Sequence, residues 1–276
     1  MPSEPKTTIP GLREIKAAGG KVRMVTAYDF SQARLVDATE IELILVGDSM
    51  GNVVLGYPST IPVTMEEILH HTKAVVRGAS RTPVISDLPF LSYQVGPEEA
   101  VRNAGACLKA GASGVKLEGG ASFVPTVSRL VQAGIPVMGH LGLTPQRALE
   151  MGGYKVQGRS EEDARRILDD ACELQEAGAF ALLLECVPAS LAAAVSATLR
   201  IPTIGIGAGP ACDGQVLVFH DLLGLSPGPR PKFVKSYLNG WELAGEALGH
   251  FAREVAEGVY PGEEHSYGGS GKPAKR

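Results

Sequence analysis

The stretch Leu43-Ile44-Leu45-Val46-Gly47-Asp48 is a short apolar run that ends on a glycine and an acid. Two later runs, Pro83–Asp87 and Gly114–Glu118, have the same form and also end on an acid. Continuous apolar runs of this length, bounded by Gly and Pro, are typical of buried strands in a parallel sheet. A carboxylate at the end of such a strand is costly to bury unless it has a partner. We therefore expect the three terminal acids to lie together and to share one binding partner.

Helical stretches separate most of the apolar runs. Three of these stretches end on a glycine that suits the left-handed residue closing a helix, namely Gly111, Gly134 and Gly178. Eight strands are predicted, at about residues 23–28, 43–48, 83–87, 114–118, 136–140, 181–185, 202–206 and 215–219. Alternating strands and helices indicate a parallel α/β fold. Eight such units without an obvious linker favour a single-domain (β/α)8 barrel, or TIM barrel, over an open doubly wound sheet.

The barrel is predicted to occupy residues 10–260. The two ends, residues 1–9 and 261–276, are rich in Pro, Gly, Ser and Lys and are expected to be disordered. The last strand pair is distinctive, because only a tight glycine-rich link separates residues 202–206 from residues 215–219. We expect the segment Gly205–Gly209 within this link to form a tight turn with close backbone approach to a ligand.

The composition excludes several classes of function. The chain has 276 residues, a formal net charge of −4 and no basic run, so a nucleic acid is not an expected partner. No apolar stretch is long enough to span a bilayer, and the N-terminus lacks a signal-peptide core, so a cytoplasmic protein is expected. The 4 cysteines are far apart in the sequence, which disfavours a disulfide framework and metal-thiolate sites.

The acids at the strand ends predict a metal site. In a (β/α)8 barrel the catalytic groups come from the C-terminal ends of the strands. The carboxylates of Asp48, Asp87 and Glu118, with no cysteine among them, favour a hard cation, and Mg²⁺ fits best. The alternative is that these acids are N-caps of helices in the strand-to-helix loops.

Three further residues are candidates for substrate chemistry. Lys116 lies two positions before Glu118 and faces the same side of the strand, where it either binds an anionic substrate or forms a structural ion pair. Glu185 ends an apolar run; partial desolvation would raise the pKa of its carboxyl and suit it to be a general base, the alternative being a surface-directed loop residue. His140 either hydrogen-bonds a substrate carboxylate or is a packed histidine.

A series of motifs resembles one family, the ketopantoate hydroxymethyltransferases. The resemblance runs in order from about residue 10 to residue 260. The motifs that carry it are Thr26–Asp29, Val46–Ser49, Asp87–Phe90, Val115–Gly120, Gly139–Gln146, Leu184–Pro188, Gly205–Gly209 and Pro231–Phe233.

The resemblance implies a (β/α)8 barrel with Mg²⁺ held by Asp48, Asp87 and Glu118. It also implies Glu185 as the proton acceptor and 2-oxoacid binding by Asp48, Ser49, Asp87 and Lys116. The implied reaction transfers a hydroxymethyl group from 5,10-methylenetetrahydrofolate to 3-methyl-2-oxobutanoate. The products would be 2-dehydropantoate and tetrahydrofolate, formed through a Mg²⁺-stabilised enolate in pantothenate and coenzyme A biosynthesis. Members of the family form homo-oligomers, often decamers.

Two other functions remain open from the sequence. One is a Mg²⁺-dependent carbon–carbon lyase or phosphonomutase of the isocitrate lyase and phosphoenolpyruvate mutase group, although the Lys-Lys-Cys-Gly-His loop expected there is missing. The other is a non-catalytic barrel that binds a small acid. The joint presence of three candidate metal ligands, Lys116 and Glu185 argues against the second.

Overall fold

Eight parallel strands in sequence order close into a barrel, with the last strand hydrogen-bonded to the first. The computed structural model of the chain describes residues 6–228 and 230–267. The strands are β1 (Val22–Thr26), β2 (Leu43–Val46), β3 (Val84–Asp87), β4 (Gly114–Glu118), β5 (Val137–Gly142), β6 (Ala181–Glu185), β7 (Thr203–Ile206) and β8 (Gly214–Leu217). The helices are α1 (Gly11–Ala17), α2 (Phe30–Asp37), α3 (Met50–Val53), α4 (Met65–Gly78), α5 (Pro97–Lys109), α6 (Val124–Gln132), α7 (Glu161–Glu176), α8 (Ala189–Thr198), α9 (Phe219–Leu222) and α10 (Gly240–Ala256).

The predicted (β/α)8 barrel is confirmed. Each predicted strand coincides with an observed one, and the ends differ by no more than two residues. Residues 207–213, all of them described, form turns and bends between β7 and β8 instead of a helix. The glycine-rich link expected there is therefore present, and Gly207 and Gly209 have φ angles of 63° and 80°.

Side chains alternate along the strands between the barrel interior and the layer under the helices. On β4, Val115 and Leu117 belong to the cluster that packs against the helices. Lys116 and Glu118 therefore face the interior, because successive strand residues point to opposite sides. The lower interior is apolar and contains Met24, Leu43, Leu45, Ile85, Met138, Leu183, Ile204 and Val216.

The helix boundaries follow local sequence chemistry. Helix α4 begins with a capping box, in which Thr64 accepts from the backbone of Glu67 and the Glu67 side chain accepts from the backbone of Thr64. The three glycines expected to close helices, Gly111, Gly134 and Gly178, have φ angles of 102°, 80° and 99°. That left-handed conformation is open to glycine at little cost.

A buried acid ties together the end of the barrel where the strands begin. Asp37, the last residue of α2, accepts hydrogen bonds from Ser80, Arg81 and Thr82 in the segment before β3; the lengths range from 2.8 to 3.2 Å. Burial opposes ionisation of this carboxyl, but the hydrogen bonds from Thr82 and Ser80 outweigh it and lower the pKa of Asp37. This end of the barrel is therefore held by an ionised acid.

Two compact units divide the chain. The larger comprises Met1–Phe219 and Pro231–Val234 and contains all eight strands, and the smaller comprises His220–Arg230 and Lys235–Arg276 and contains α10. No helix among the described residues is both long and apolar enough to cross a membrane.

The predicted boundaries, a barrel domain over residues 10–260 with disordered ends, stay a prediction. Residues 1–5 and 268–276 lie outside the described residues. Within the described part, Lys6 donates to the carbonyl oxygen of Ile41 at 3.1 Å, and Glu263–His265 form a 3-10 turn.

Candidate active site

The register of the parallel strands places charged residues side by side at one mouth of the barrel. Asp87 of β3 pairs with Lys116 of β4, and Glu118 of β4 pairs with His140 of β5. Glu185 is the last residue of β6. Because Asp87, Glu118 and Glu185 end their strands and Lys116 and His140 lie beside them on the interior side, the five residues form a polar layer above the apolar interior.

Direct contacts connect the members of this layer. Nζ of Lys116 lies 2.8 Å from Oδ1 of Asp87 and 3.8 Å from Oε1 of Glu118. Nδ1 of His140 lies 3.3 Å from Oε1 of Glu118, and Nε2 of His140 lies 3.3 Å from Oε2 of Glu185. The Glu185 side chain is 18% exposed, whereas each of the other four is at most 4% exposed. Glu185 is thus the member nearest to solvent.

Asp48 and Ser49 follow β2 at the same mouth. The backbone nitrogen of Asp48 donates to Oδ2 of Asp87 at 3.1 Å, and the Asp48 side chain is buried. Ser49 is partly exposed, and its hydroxyl lies 2.9 Å from the hydroxyl of Tyr28. Ser49 therefore lies beside six candidate residues that direct contacts join. These six are Asp48, Asp87, Lys116, Glu118, His140 and Glu185.

Gln146 and Tyr93 belong to the site but were not among the sequence candidates. Nε2 of Gln146 donates to Oδ2 of Asp48 at 2.9 Å, and the Tyr93 hydroxyl accepts from the backbone nitrogen of Glu118 at 3.1 Å. Gln146 is the last residue of the motif Gly139–Gln146, which offered a signal. The sequence around Tyr93 contains no motif that points to a role in the site.

The helix-capping alternative does not describe the three acids. Asp29 is a true cap, since its carboxylate accepts from the backbone nitrogen of Gln32 at 2.8 Å at the start of α2. Within residues 6–228 and 230–267, no described helix is capped by the side chain of Asp48, Asp87 or Glu118. They are instead part of the buried polar layer.

The acids are crowded, and their pKa values reflect it. Burial and the negative charges of Asp87 and Glu118 raise the pKa of Asp48 well above its usual range. Burial likewise raises the pKa of Asp87, with the Glu118 charge adding to it and Lys116 opposing. For Glu118, burial alone would raise the pKa, but the hydrogen bond from His140 and its positive charge lower it. Additional positive charge near Asp48 would relieve this crowding.

The surrounding acids raise the pKa values of the two bases in the layer. Burial disfavours the ammonium of Lys116, but the charges of Asp87 and Glu118 outweigh burial and raise its pKa. Burial and the Lys116 charge lower the pKa of His140, yet its hydrogen bonds to Glu118 and Glu185 raise it to about 9. Lys116 thus presents a fixed positive charge among the acids.

The position of Glu185 depends on a close backbone approach. Gly142, at the end of β5, has a φ of 92°, and a Cβ atom there would lie 2.2 Å from the carbonyl oxygen of Glu185. That carbonyl oxygen accepts from the backbone nitrogen of Leu143 at 2.8 Å. A side chain at position 142 would displace the end of β6, so glycine is required there.

The donor atoms of the polar layer suit a hard cation. Oδ1 of Asp87 and Oε1 of Glu118 are buried, and their charged neighbours are Nζ of Lys116 at 2.8 Å and Nδ1 of His140 at 3.3 Å, respectively. In the part of the chain that the structure describes, no group of three His, Cys, Asp or Glu side chains is arranged to hold one metal ion. Mg²⁺ commonly takes one or two carboxylates and completes its octahedron with water and substrate oxygens. The buried carboxylate oxygens Oδ1 of Asp87 and Oε1 of Glu118 suit that mode of binding.

The fold and the buried polar layer at its mouth define an enzyme of the (β/α)8-barrel class. A sequence profile described as ketopantoate hydroxymethyltransferase matches residues 6–263. The chain belongs to the ketopantoate hydroxymethyltransferase family.

Two relatives illustrate the similarity in sequence. A 3-methyl-2-oxobutanoate hydroxymethyltransferase of Heliobacterium modesticaldum is 58% identical over 264 residues, which are 95% of this chain and 96% of the relative. A protein of the same name from Moorella thermoacetica is 57% identical over 268 residues, which are 97% of this chain and 100% of the relative.

Solved structures of lower sequence identity share the fold. A phosphonopyruvate hydrolase in complex with oxalate and Mg²⁺ has a TM-score of 0.61 and 15% identity, covering 94% of this chain and 93% of its own. A phosphoenolpyruvate phosphomutase from Streptomyces platensis subsp. rosaceus has a TM-score of 0.60 and 17% identity, covering 91% and 88%. At such identities the likeness concerns the barrel, so the lyase or phosphonomutase alternative gains no support from it.

Proposed function

We propose that this protein transfers a hydroxymethyl group from 5,10-methylenetetrahydrofolate to 3-methyl-2-oxobutanoate and forms 2-dehydropantoate. Membership of the family and the names of the relatives support this substrate. The observation that carries the chemistry is the contact network from Asp87 through Lys116 and His140 to Glu185. It places a fixed positive charge and a partly exposed carboxylate at one barrel mouth.

Lys116 and its neighbours form the 2-oxoacid site in this proposal. The Lys116 ammonium attracts the carboxylate and the keto oxygen of the substrate, and it stabilises the negative charge that develops on the keto oxygen. The hydroxyl of Ser49 donates to the substrate, while Asp48 and Asp87 orient the site. His140, which lies between Glu118 and Glu185, is a further candidate contact.

Asp48, Asp87 and Glu118 are the proposed binding residues for Mg²⁺. The buried Oδ1 of Asp87 and Oε1 of Glu118, which accept from no uncharged donor, support direct coordination by those two acids. Asp48 binds the ion in this proposal either directly or through a water molecule. When bound, Mg²⁺ supplies Lewis-acid polarisation of the keto oxygen.

Glu185 is the proposed base. Its carboxylate takes the proton from C3 of the bound acid, and the electron pair of that C–H bond passes into the enolate. C3 then forms a bond with the one-carbon unit of the folate, both C–N bonds of that unit break, and tetrahydrofolate leaves with its two nitrogens protonated by the proton from C3 and one proton of water. Water supplies the oxygen of the new hydroxymethyl group, so that atoms balance. The contact between Glu185 and Nε2 of His140 holds the carboxylate at the edge of the polar layer.

The assembly and the location of the protein are part of the same proposal. The family resemblance supports a homo-oligomer, with a decamer as the expected size, and a cytoplasmic location with small-molecule partners only. Light scattering coupled to size-exclusion chromatography measures the molar mass of the particle. A monomer at working concentrations contradicts the oligomer.

Product formation tests the function. Purified protein is incubated with 3-methyl-2-oxobutanoate, 5,10-methylenetetrahydrofolate and Mg²⁺, and 2-dehydropantoate is measured by mass spectrometry. We expect product from the wild type and none without the folate. Absence of product from folded protein contradicts the proposed reaction.

Deuterium exchange tests the base separately. In ²H₂O with the 2-oxoacid and Mg²⁺ alone, the wild type should exchange the C3 proton, and Glu185→Gln should nearly abolish the exchange. Loss of a general base costs about 10²- to 10⁴-fold. Glu161→Gln, an exposed glutamate in the first turn of α7, is the matched control and should exchange normally. Normal exchange in Glu185→Gln would show that another group is the base.

A further inference from the structure

Gln146 occupies a central position in the polar layer. It lies in the 3-10 turn Pro145–Arg147 that follows β5, and it is 3% exposed. Its side-chain nitrogen donates to Oδ2 of Asp48 at 2.9 Å and to the carbonyl oxygen of Leu88 at 3.0 Å. Its backbone nitrogen donates to Oε2 of Glu118 at 3.1 Å. A single neutral residue therefore contacts two of the three acids.

The orientation of the Gln146 amide follows from its partners. A backbone carbonyl can only accept, so the group that faces Leu88 is the NH₂ group. The oxygen, Oε1, accepts from the hydroxyl of Tyr93 at 2.9 Å and from Nε2 of Gln94 at 3.0 Å. Both amide protons of the side chain are thus engaged, which fixes an N–H bond toward Asp48.

Asp87, the acid that Gln146 does not contact, is hydrogen-bonded in the same way as Asp48 and Glu118. One oxygen of each acid accepts from an uncharged donor: Oδ2 of Asp48 and Oε2 of Glu118 from Gln146, and Oδ2 of Asp87 from the backbone of Asp48. The second oxygens of Asp87 and Glu118 face the basic side chains of Lys116 and His140 at 2.8 and 3.3 Å. Uncharged donors orient a carboxylate without neutralising it, so Gln146 fixes the direction of the acids and leaves their charge to the basic neighbours and to a ligand.

We infer that Gln146 is a positioning residue that orients Asp48 and Glu118, with Tyr93 and Gln94 fixing its amide from behind. The inference rests on the proposed function, because it assigns those acids to ligand binding. Gln146 acts through the acids and is not assigned a contact with the reacting atoms. Its side chain governs Asp48, whereas its backbone N–H governs Glu118. A side-chain replacement therefore affects mainly Asp48.

Gln146→Met tests the inference, because it keeps the length of the side chain and removes the donor. Loss of a residue that orients a ligand typically costs about 10- to 100-fold in affinity or activity. We expect kcat/KM for the 2-oxoacid to fall by about that factor. The apparent Kd for Mn²⁺, measured by electron paramagnetic resonance on protein without substrate, should rise by a similar factor.

Gln175→Met is the matched control. Gln175 is also a buried glutamine, and its Oε1 accepts from the backbone nitrogens of Arg200 and Ile201 at 2.6 and 3.2 Å, outside the polar layer. Both variants should lose thermal stability, but only Gln146→Met should change the KM and the Mn²⁺ titration. Equal Kd and kcat/KM values in Gln146→Met and the wild type overturn the inference.

Two further variants keep the test decisive. If Gln146 acts through Asp48, the double variant Gln146→Met with Asp48→Asn should be no less active than Asp48→Asn alone. Additive losses of activity would show that Gln146 does not act through Asp48. If Gln146→Met does not fold, Tyr93→Phe withdraws one partner of Oε1 and should lower kcat/KM by about 3- to 10-fold. An unchanged kcat/KM there overturns the inference. An inactive wild type, in contrast, contradicts the proposed function itself.

Discussion

Nζ of Lys116 lies 2.8 Å from Oδ1 of Asp87, and the two side chains are 4% and 1% exposed. The pair joins two neighbouring strands at the mouth of the barrel. A buried ion pair of this kind contributes little net stability by itself, yet removal of one partner leaves the other charge uncompensated. The position of Lys116 therefore matters for both folding and ligand binding.

Lys116→Met should separate these two roles. We expect the free energy of unfolding to fall by about 3 kcal/mol, because the acids lose their nearest cation. We expect kcat/KM for the 2-oxoacid to fall by about 10²- to 10³-fold, the usual cost of losing one donor to a developing oxyanion. Denaturant unfolding and steady-state kinetics measure the two quantities.

Lys16→Met is the control for Lys116. The Lys16 ammonium contacts Asp213 at 2.8 Å and the carbonyl oxygens of Ser196 and Ile201 at 2.9 and 3.0 Å, away from the polar layer. Lys16→Met should lower the free energy of unfolding and leave the KM for the 2-oxoacid unchanged. If Lys116→Met folds and binds the 2-oxoacid with normal affinity, Lys116 is a structural partner of Asp87 only.

Asp87→Asn and Glu118→Gln test the metal assignment. Each substitution keeps the side-chain shape and removes the charge of one proposed ligand carboxylate. We expect the Mg²⁺ concentration at half-maximal activity to rise at least about tenfold in both, since even outer-shell changes cost that much. Titration of activity with Mg²⁺ measures it. Curves identical to that of the wild type in both variants would rule out these acids as ligands.

Asp37→Asn should affect stability without affecting activity, because Asp37 lies at the opposite end of the barrel from the polar layer. The carboxylate loses part of a set of charge-assisted hydrogen bonds, so we expect the free energy of unfolding at pH 7 to fall by about 2 to 3 kcal/mol. Urea unfolding gives the value. A change in the Mg²⁺ dependence of this variant would contradict the separation of the two ends.

The pH dependence of the Asp37 effect has a definite sign. The folded-state pKa lies below the usual value of 3.8. The stabilisation from ionised Asp37 is therefore fully present above about pH 4 and is lost as the pH falls through the lower, folded-state pKa. The difference between wild type and Asp37→Asn should be constant from pH 7 to pH 5 and shrink below pH 4. A difference that grows with acid would contradict this account.

Gly142→Ala should disturb the base. A Cβ atom at this position would lie 2.2 Å from the carbonyl oxygen of Glu185, and the φ of 92° is unfavourable for alanine. We expect a loss of at least about 3 kcal/mol in stability and at least tenfold slower C3–H exchange. Gly134→Ala, with a φ of 80° and nothing within 4 Å, isolates the conformational cost of about 1 kcal/mol. Equal exchange rates in the two variants would show that Gly142 does not position Glu185.

The positions of the strands could be predicted because each carries its own local signal. The apolar runs around Leu43–Val46 and Ala181–Glu185 are too short for helices and are bounded by glycine or proline, so their limits could be predicted to within two residues. The gathering of Asp87, Lys116 and Glu185 followed from the rule that parallel strands end at the same mouth. The contacts among these residues stayed undetermined, because strand register is a property of the closed barrel.

Gln146 and Tyr93 could not be predicted in the same way. Both lie outside the strands, and both are uncharged residues of types that also occur commonly on surfaces. Their importance arises from a chain path that brings residues 93 and 146 to the end of β4, and no local pattern encodes that path.

The alternation of side chains along β4 has a consequence for folding. A register error of one residue would turn Lys116 and Glu118 toward the helices and place Val115 and Leu117 inside the mouth. Such a barrel would bury two charges in the apolar layer beneath α5 and α6, far from the acids and the histidine that compensate them. The penalty of several kcal/mol for each uncompensated ion makes the misaligned chain unstable. The residues that would do the chemistry thus also select, among closely similar barrels, the one that can fold.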